Sequence, residues 1–161
     1  MNYIENFLFM RSEVSLLAVI LFLLLFDLIA GKKGMKYFQP IAIVVFAVHT
    51  ILNLFPGEAG SAFGGMYEYK PMLSVLKSVL YIATLIVFLQ AKEVFDGQKQ
   101  SNKRGEFYFL TLITLLGMYF MVSSGHFLMF FIGLELASIP LATLAALEKH
   151  RQKSAEAGAK Y

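Results

Sequence analysis

Five stretches of this 161-residue chain are apolar for long enough to cross a lipid bilayer, and little sequence is left over for anything else. A bilayer core is about 30 Å thick and a helix rises about 1.5 Å per residue, so a span needs about 20 mostly apolar residues. No water inside the bilayer bonds the backbone N–H and C=O groups, so each stretch closes those bonds within a helix. The stretches cover about residues 13–30, 37–55, 71–90, 107–122 and 126–147. They predict an all-α polytopic transmembrane helix bundle of five spans, with a polar tail, 148–161, leading towards a sixth.

Composition agrees with that fold class. Hydrophobic residues make up 58% of the chain and charged residues only 16%, against about 25% charged in a soluble domain. There is no cysteine, which excludes thiolate-held iron–sulfur clusters, sulfur-bound zinc and disulfides. His49, His126 and His150 lie far apart, with no metal-ligand spacing. A pI near 9.1 suggests nucleic acid as a partner, but the basic residues sit in short connections between apolar spans, where they set membrane orientation instead.

Those residues alternate by connection. Lys32, Lys33 and Lys36 follow the first span, whereas Lys70 alone precedes the third. Lys92, Lys99, Lys103 and Arg104 follow the third, none lies between the fourth and fifth, and Lys149, Arg151 and Lys153 are in the tail. Because Lys/Arg-rich connections stay on the cytoplasmic side, the amino terminus is expected outside and the tail inside. The first span reads as a true span and not a signal peptide: its apolar core is too long, acids precede it, and no small-x-small cleavage site follows.

Polar residues within the spans are the candidates for function. Glu135 stands about nine residues, or about 14 Å, from the outer end of the fifth span, near the midplane. A charge there costs at least about 2.5–3.5 kcal/mol, and such residues face a protein interior or a wet path for ions or protons. Pro140, five residues on, excludes the Leu136 carbonyl from regular helix bonding. The structural alternative for Glu135 is a local hydrogen bond to Ser138. Lys77 lies about 9 Å into the third span, where it snorkels outward or turns in to meet Glu135, about 5 Å different in depth. Asp27 is expected to pair with Lys32 or Lys33 or with interfacial water. His49 and His126 read as hydrogen-bonded packing residues, and Glu106 suits a helix amino terminus. The aromatics and methionines of 107–121 read as lipid-facing or bundle packing.

Two passages carry a resemblance. Residues 105–125, Gly-Glu-Phe-Tyr-Phe-Leu-Thr through Val-Ser-Ser-Gly, are followed at 128–141 by Leu-Met-Phe-Phe-Ile-Gly-Leu-Glu-Leu-Ala-Ser-Ile-Pro-Leu. Together they resemble the fourth and fifth helices of the antiporter-like membrane subunits of respiratory complex I, the NADH–quinone oxidoreductase. The Gly-Leu-Glu-Leu-x-Ser-x-Pro form favours subunit N, because sister subunits usually carry a tryptophan just before this glutamate. The likeness is specific over 105–161 and mainly one of hydropathy before that.

The resemblance implies that Glu135 is the family's fifth-helix glutamate of the proton path and that Lys160 is a lysine linked to activity at the start of the sixth helix. Lys77 is a further candidate proton-path residue, read from its depth. The family's main partner for the glutamate is a lysine on a broken seventh helix, so the chain corresponds to an amino-terminal portion and is not expected to pump alone. It implies a multi-pass protein of the inner (plasma) membrane of a bacterium, partnered by the lipid bilayer and other complex I membrane subunits, with no nucleic acid. NAD, FMN, iron–sulfur clusters and quinone belong to the assembly, and none is expected on this chain. In the implied mechanism, quinone reduction elsewhere changes the charge near Glu135, its pairing with a buried lysine tightens or relaxes, and a proton moves. The alternatives are a subunit of a cation/proton antiporter or membrane-bound hydrogenase, which share these helices, and a non-catalytic membrane scaffold.

Overall fold

The computed structural model of the chain describes residues 7–57, 59–96, 103–147 and 152–161. Most of the linker after the third span and the first residues of the tail, 148–151, lie outside these, as do the side chains of Lys32, Lys33, Lys36 and Lys92. The proposed pairing of Asp27 with Lys32 or Lys33 therefore lies outside them as well.

Residues Arg11–Asn53 form α1, helical over 43 residues, yet α1 is not one rod. A straight helix would hold Ser15 and His49, 34 positions apart, about 51 Å from one another. Instead Ser15 Oγ is 3.1 Å from His49 Nδ1, and the Phe26 and Phe38 rings are 6.1 Å apart. The chain therefore doubles back between its outgoing arm, Arg11–Ile29, and its returning arm, Tyr37–Asn53. The reversal falls between Ile29 and Tyr37, a stretch whose sequence holds two glycines, Gly31 and Gly34.

Helices α2 (Pro71–Asp96), α3 (Arg104–Val122), α4 (Phe127–Ala145) and the short α5 (Gln152–Lys160) follow. Pro71 opens α2, a position where its missing N–H costs nothing. The outgoing arm of α1, the Pro71–Ala91 part of α2, α3 and α4 are each long and apolar enough to cross a membrane, and the returning arm is a shorter apolar helix. Large apolar side chains such as Leu28, Ile29, Met72 and Phe127 are exposed round the outside. This is the all-α polytopic membrane bundle that the apolar runs predict.

An aromatic column runs through its centre, packed among buried aliphatic side chains such as Leu16, Ile20, Leu23, Leu112 and Leu115. Phe38, Tyr108, Phe88 and Phe46 meet in sequence at ring separations of 5.8, 4.5 and 5.2 Å, and the column continues through His49 and Tyr81 to Tyr119. The aromatics of α3 are thus divided, with Tyr108 and Tyr119 fully buried in bundle packing.

Helices α3 and α4 touch backbone to backbone. A Cβ on Gly117 would lie 2.5 Å from Ala137 N and 2.7 Å from Gly133 O, and one on Gly133 would lie 2.8 Å from Gly117 O and Met121 N. Gly133 and Ala137 are four apart, the small-residue spacing that lets membrane helices approach closely. The buried residues of α4 are Gly133 and Ala137 on this seam, and Pro140.

One element departs from the expected loop between the second and third spans. Strands β1 (Gly60–Ala62) and β2 (Tyr67–Tyr69) pair antiparallel, with Ala62 opposite Tyr67. Their tip turns through positive φ at Phe63, Gly64 and Gly65 (53°, 66° and 89°). The Gly-rich run masks a two-residue alternation, Tyr67-Glu68-Tyr69, that turns both tyrosines inward. Bonds from Glu68 N to Ser123 O (2.8 Å) and from Gly125 N to Met66 O (2.9 Å) fasten the hairpin over the turn between α3 and α4.

Candidate functional site

Glu135 sits in the middle of α4, and its neighbours in sequence decide which way it faces. Successive residues of a helix are about 100° apart, so Glu135 is about 200° round from both Gly133 and Ala137. Those two are pressed against α3, so the carboxylate points away from the bundle. It lies in an apolar groove with Phe131, Ile132, Leu136 and Ile139. The Ser138 hydroxyl reaches the Glu135 backbone carbonyl at 3.5 Å and not the carboxylate. Among the described residues, no hydrogen bond or ion pair reaches that carboxylate.

Lys77 is elsewhere and neither snorkels nor meets Glu135. Its ammonium lies 2.5 Å from Glu13 Oε1, with Lys77 only 1% and Glu13 2% exposed. Lys77 also donates to Tyr67 Oη (3.1 Å) and Ser12 Oγ (3.3 Å) and stands over the Tyr67 and Tyr119 rings at 5.3 and 5.7 Å, within cation–π reach. Glu13 in turn accepts from the Tyr67 and Ser12 hydroxyls, both at 2.9 Å. The outgoing arm of α1 supplies Ser12 and Glu13, α2 supplies Lys77, and the hairpin lowers Tyr67 onto the pair. Burial, and after it the Glu13 carboxylate, pushes the Tyr67 phenol above its ordinary value, so it stays a donor.

His49 stands beside this cluster. Its Nδ1 faces Ser15 Oγ at 3.1 Å and Asn53 Nδ2 at 3.3 Å, its ring meets Tyr81 edge-on, and its buried Nε2 has no hydrogen-bond partner among the described residues. Lys160 closes α5 and pairs at 2.5 Å with Glu156, both exposed. Asp27 packs where a Cβ on Gly105 would come within 2.8 Å of its carboxylate, at the amino-terminal turn of α3, where an anion is favoured. Glu106 lies in that same turn, and His126 caps α4 by accepting from Leu128 N at 3.2 Å. Among the described residues, no three His, Asp or Glu gather as metal ligands.

Glu135, Lys77 and Lys160 are therefore not brought together. The sequence reading missed Glu13 and Tyr67. The available signal was that Glu13 and Lys77 both lie near the outer ends of their spans, with a Tyr-Glu-Tyr triplet in the connection between.

No protein-family model matches the chain. Similar proteins, each named NADH-quinone oxidoreductase subunit N, include those of Phocaeicola vulgatus, 49% identical over 158 residues, and Azobacteroides pseudotrichonymphae, 46% over 160. Both matches cover 98% of this chain and 33% of the relative. The subunit of Neisseria gonorrhoeae is 41% identical over 151 residues, covering 92% of the chain and 31% of the relative. The chain thus spans about a third of the length of the curated relatives it matches, which agrees with the amino-terminal portion expected.

Proposed function

We propose that this chain, a homologue of NADH-quinone oxidoreductase subunit N over about a third of that subunit's length, is part of a proton-translocating membrane subunit of that enzyme. Glu135 is the proton-path group. The observation that carries this reading is its placement: an intramembrane carboxylate on the face of α4 turned away from the packed seam. An ionisable group at that depth is kept for a function, and this one faces the side on which further helices can pack.

Helix α4 does three things for Glu135. The Gly117–Gly133–Ala137 seam fixes its rotation, the apolar groove strengthens its interaction with any charge that approaches, and Pro140 denies the carbonyl of the adjacent Leu136 its regular helix partner. A lysine from a later helix of the full subunit meets Glu135 across the groove, as the family resemblance implies. A change of charge nearby then tightens or loosens that pair and moves one proton. Lys160 lies near the inner end of α4, since Ser154 of the same helix donates to Ala145 O at 2.8 Å, and is proposed to assist on that side. NAD, FMN, iron–sulfur and quinone chemistry belongs to other parts of the assembly. Its other membrane subunits are the partners, in the inner membrane of a bacterium.

The test is Glu135→Gln in the full-length subunit, assembled in membrane vesicles. Proton translocation should fall about tenfold or more, in line with the worth of a positioned acid–base group, while NADH oxidation by an artificial acceptor stays normal. Unchanged translocation in a fully assembled complex would reduce the chain to a scaffold.

A further inference from the structure

The Glu13–Lys77 pair lies on the opposite side of the molecule's logic from Glu135: it is fully partnered, fully buried and under a lid. A buried ion pair is weak evidence for a stabilising role, since apolar side chains of the same volume hold helices together at least as well. Here every packed element brings a polar or ionisable group to one level. Facing the pair are Tyr67 and Tyr69 from the hairpin, Tyr81 from α2 and Tyr119 from α3, and His49 of the returning arm of α1 packs edge-on against Tyr81. Among the described residues, Glu13 and Lys77 form ion pairs only with each other.

The level connects inward and outward. Inward, Ser15 donates to the Ser12 carbonyl at 3.2 Å and lies 3.1 Å from His49 Nδ1. Nδ1 also lies 3.3 Å from Asn53 Nδ2, whereas the buried Nε2 has no partner among the described residues. A buried ring nitrogen without a partner calls for a bound water. Outward, the lid is a hairpin of two three-residue strands, a unit with little stability of its own. A groove lined by Leu8, Phe9, Arg11, Gly57 and Tyr69 opens beside it.

We propose that Glu13 and Lys77, bridged by Tyr67, form a second proton-exchange site beneath the hairpin, separate from Glu135, with a water-borne proton as its ligand. Lys77 Nζ gives one proton to Glu13 Oε1, so that one N–H bond breaks, one O–H bond forms and both groups become neutral. The Glu13 carboxyl releases that proton to water on the hairpin side, which the distribution of Lys and Arg places outside. The Lys77 amine takes one proton from the His49 side, and the ion pair is restored. One proton has crossed this level and no electron has moved.

This inference rests on the proton-translocating reading, and the experiment separates the two. The variants are Glu13→Gln, Lys77→Met, the double Glu13→Gln/Lys77→Met, and Glu13→Asp, each in the full-length subunit of the assembled complex, beside Glu135→Gln. The readouts are protons moved per NADH oxidised and the pH profile of that ratio. The expected result is a drop of about tenfold or more in the double variant with assembly intact, and a recovered ratio with a displaced pH profile in Glu13→Asp. Full translocation by the double variant, with Glu135→Gln impaired, would overturn the second site and leave Glu135 standing. Full translocation by both would overturn both. Loss of assembly in the double variant as well as the single ones would make the pair a packing device and also overturn the proposal.

Discussion

The seam between α3 and α4 can be tested at Gly117, with a graded series to alanine and leucine. A Cβ there would lie 2.5 to 2.8 Å from three backbone atoms of α4, whereas ordinary contacts are 3.4–4 Å. The helices must therefore part by about 1 Å, because backbone, unlike the end of a flexible side chain, has nowhere to rotate. Overpacking of a tight interface costs about 1–3 kcal/mol, with alanine at the low end and leucine, three carbons larger, at the high end. Removing a mid-helix glycine returns up to about 1 kcal/mol of helix propensity. The net expectation is a loss of at most about 1 kcal/mol for Gly117→Ala and about 2 kcal/mol for Gly117→Leu. Unfolding titrations of the purified protein in detergent measure both. If Gly117→Leu stays within about 0.5 kcal/mol of the parent, the helices are not held backbone to backbone. Glu135 would then not be held facing away from the bundle.

Tyr67→Phe removes one hydroxyl that donates to Glu13 and accepts from Lys77, so stability should drop by about 1.5–3 kcal/mol in the same assay, the worth of a hydrogen bond to a charged group. The pH dependence should change too. Tyr67 titrates above its ordinary value of 10.0, so the folded state holds a proton that the unfolded state has lost, and stability falls as pH rises beyond that value. Tyr67→Phe should flatten this alkaline decline, and an unchanged slope above pH 10.0 would separate Tyr67 from the buried pair.

The all-α membrane bundle was legible in the sequence because the bilayer fixes the length of apolar helices, and the polar stretch after the first apolar run fell where the arms of α1 reverse. The depth of Glu135 followed from counting residues along one helix, and its outward face was available in the Gly133-x-x-x-Ala137 spacing on either side of it. Pairing between helices was not legible, because it depends on how each helix is rotated. Lys77 was equally able, by depth, to meet Glu135 or to snorkel, and it does neither. Glu13 carried no signal of its own, since a charge at the first position of a span usually meets water. What covers it is a hairpin whose Tyr67 lies 54 residues downstream, and whose strands of three residues were hidden in a run of glycines.

Glu13 and Glu135 show how one residue type serves two ends in the same bundle. Glu13 is saturated: an ammonium and two hydroxyls supply its hydrogen bonds within this chain, and the apolar surroundings that make a lone charge costly make this pair strong. Glu135 has an apolar groove and, among the described residues, no donor, on the helix face opposite the seam with α3. A charge left so would oppose membrane insertion by at least about 2.5 kcal/mol, and α4 offers little to offset that beyond its own hydropathy. Under the proposed function, a donor or a cation from outside the described residues covers this carboxylate. Pairing to an element that moves independently lets Glu135 be paired and unpaired, whereas Glu13 has its partners, Lys77, Tyr67 and Ser12, already in place and would exchange protons with them there.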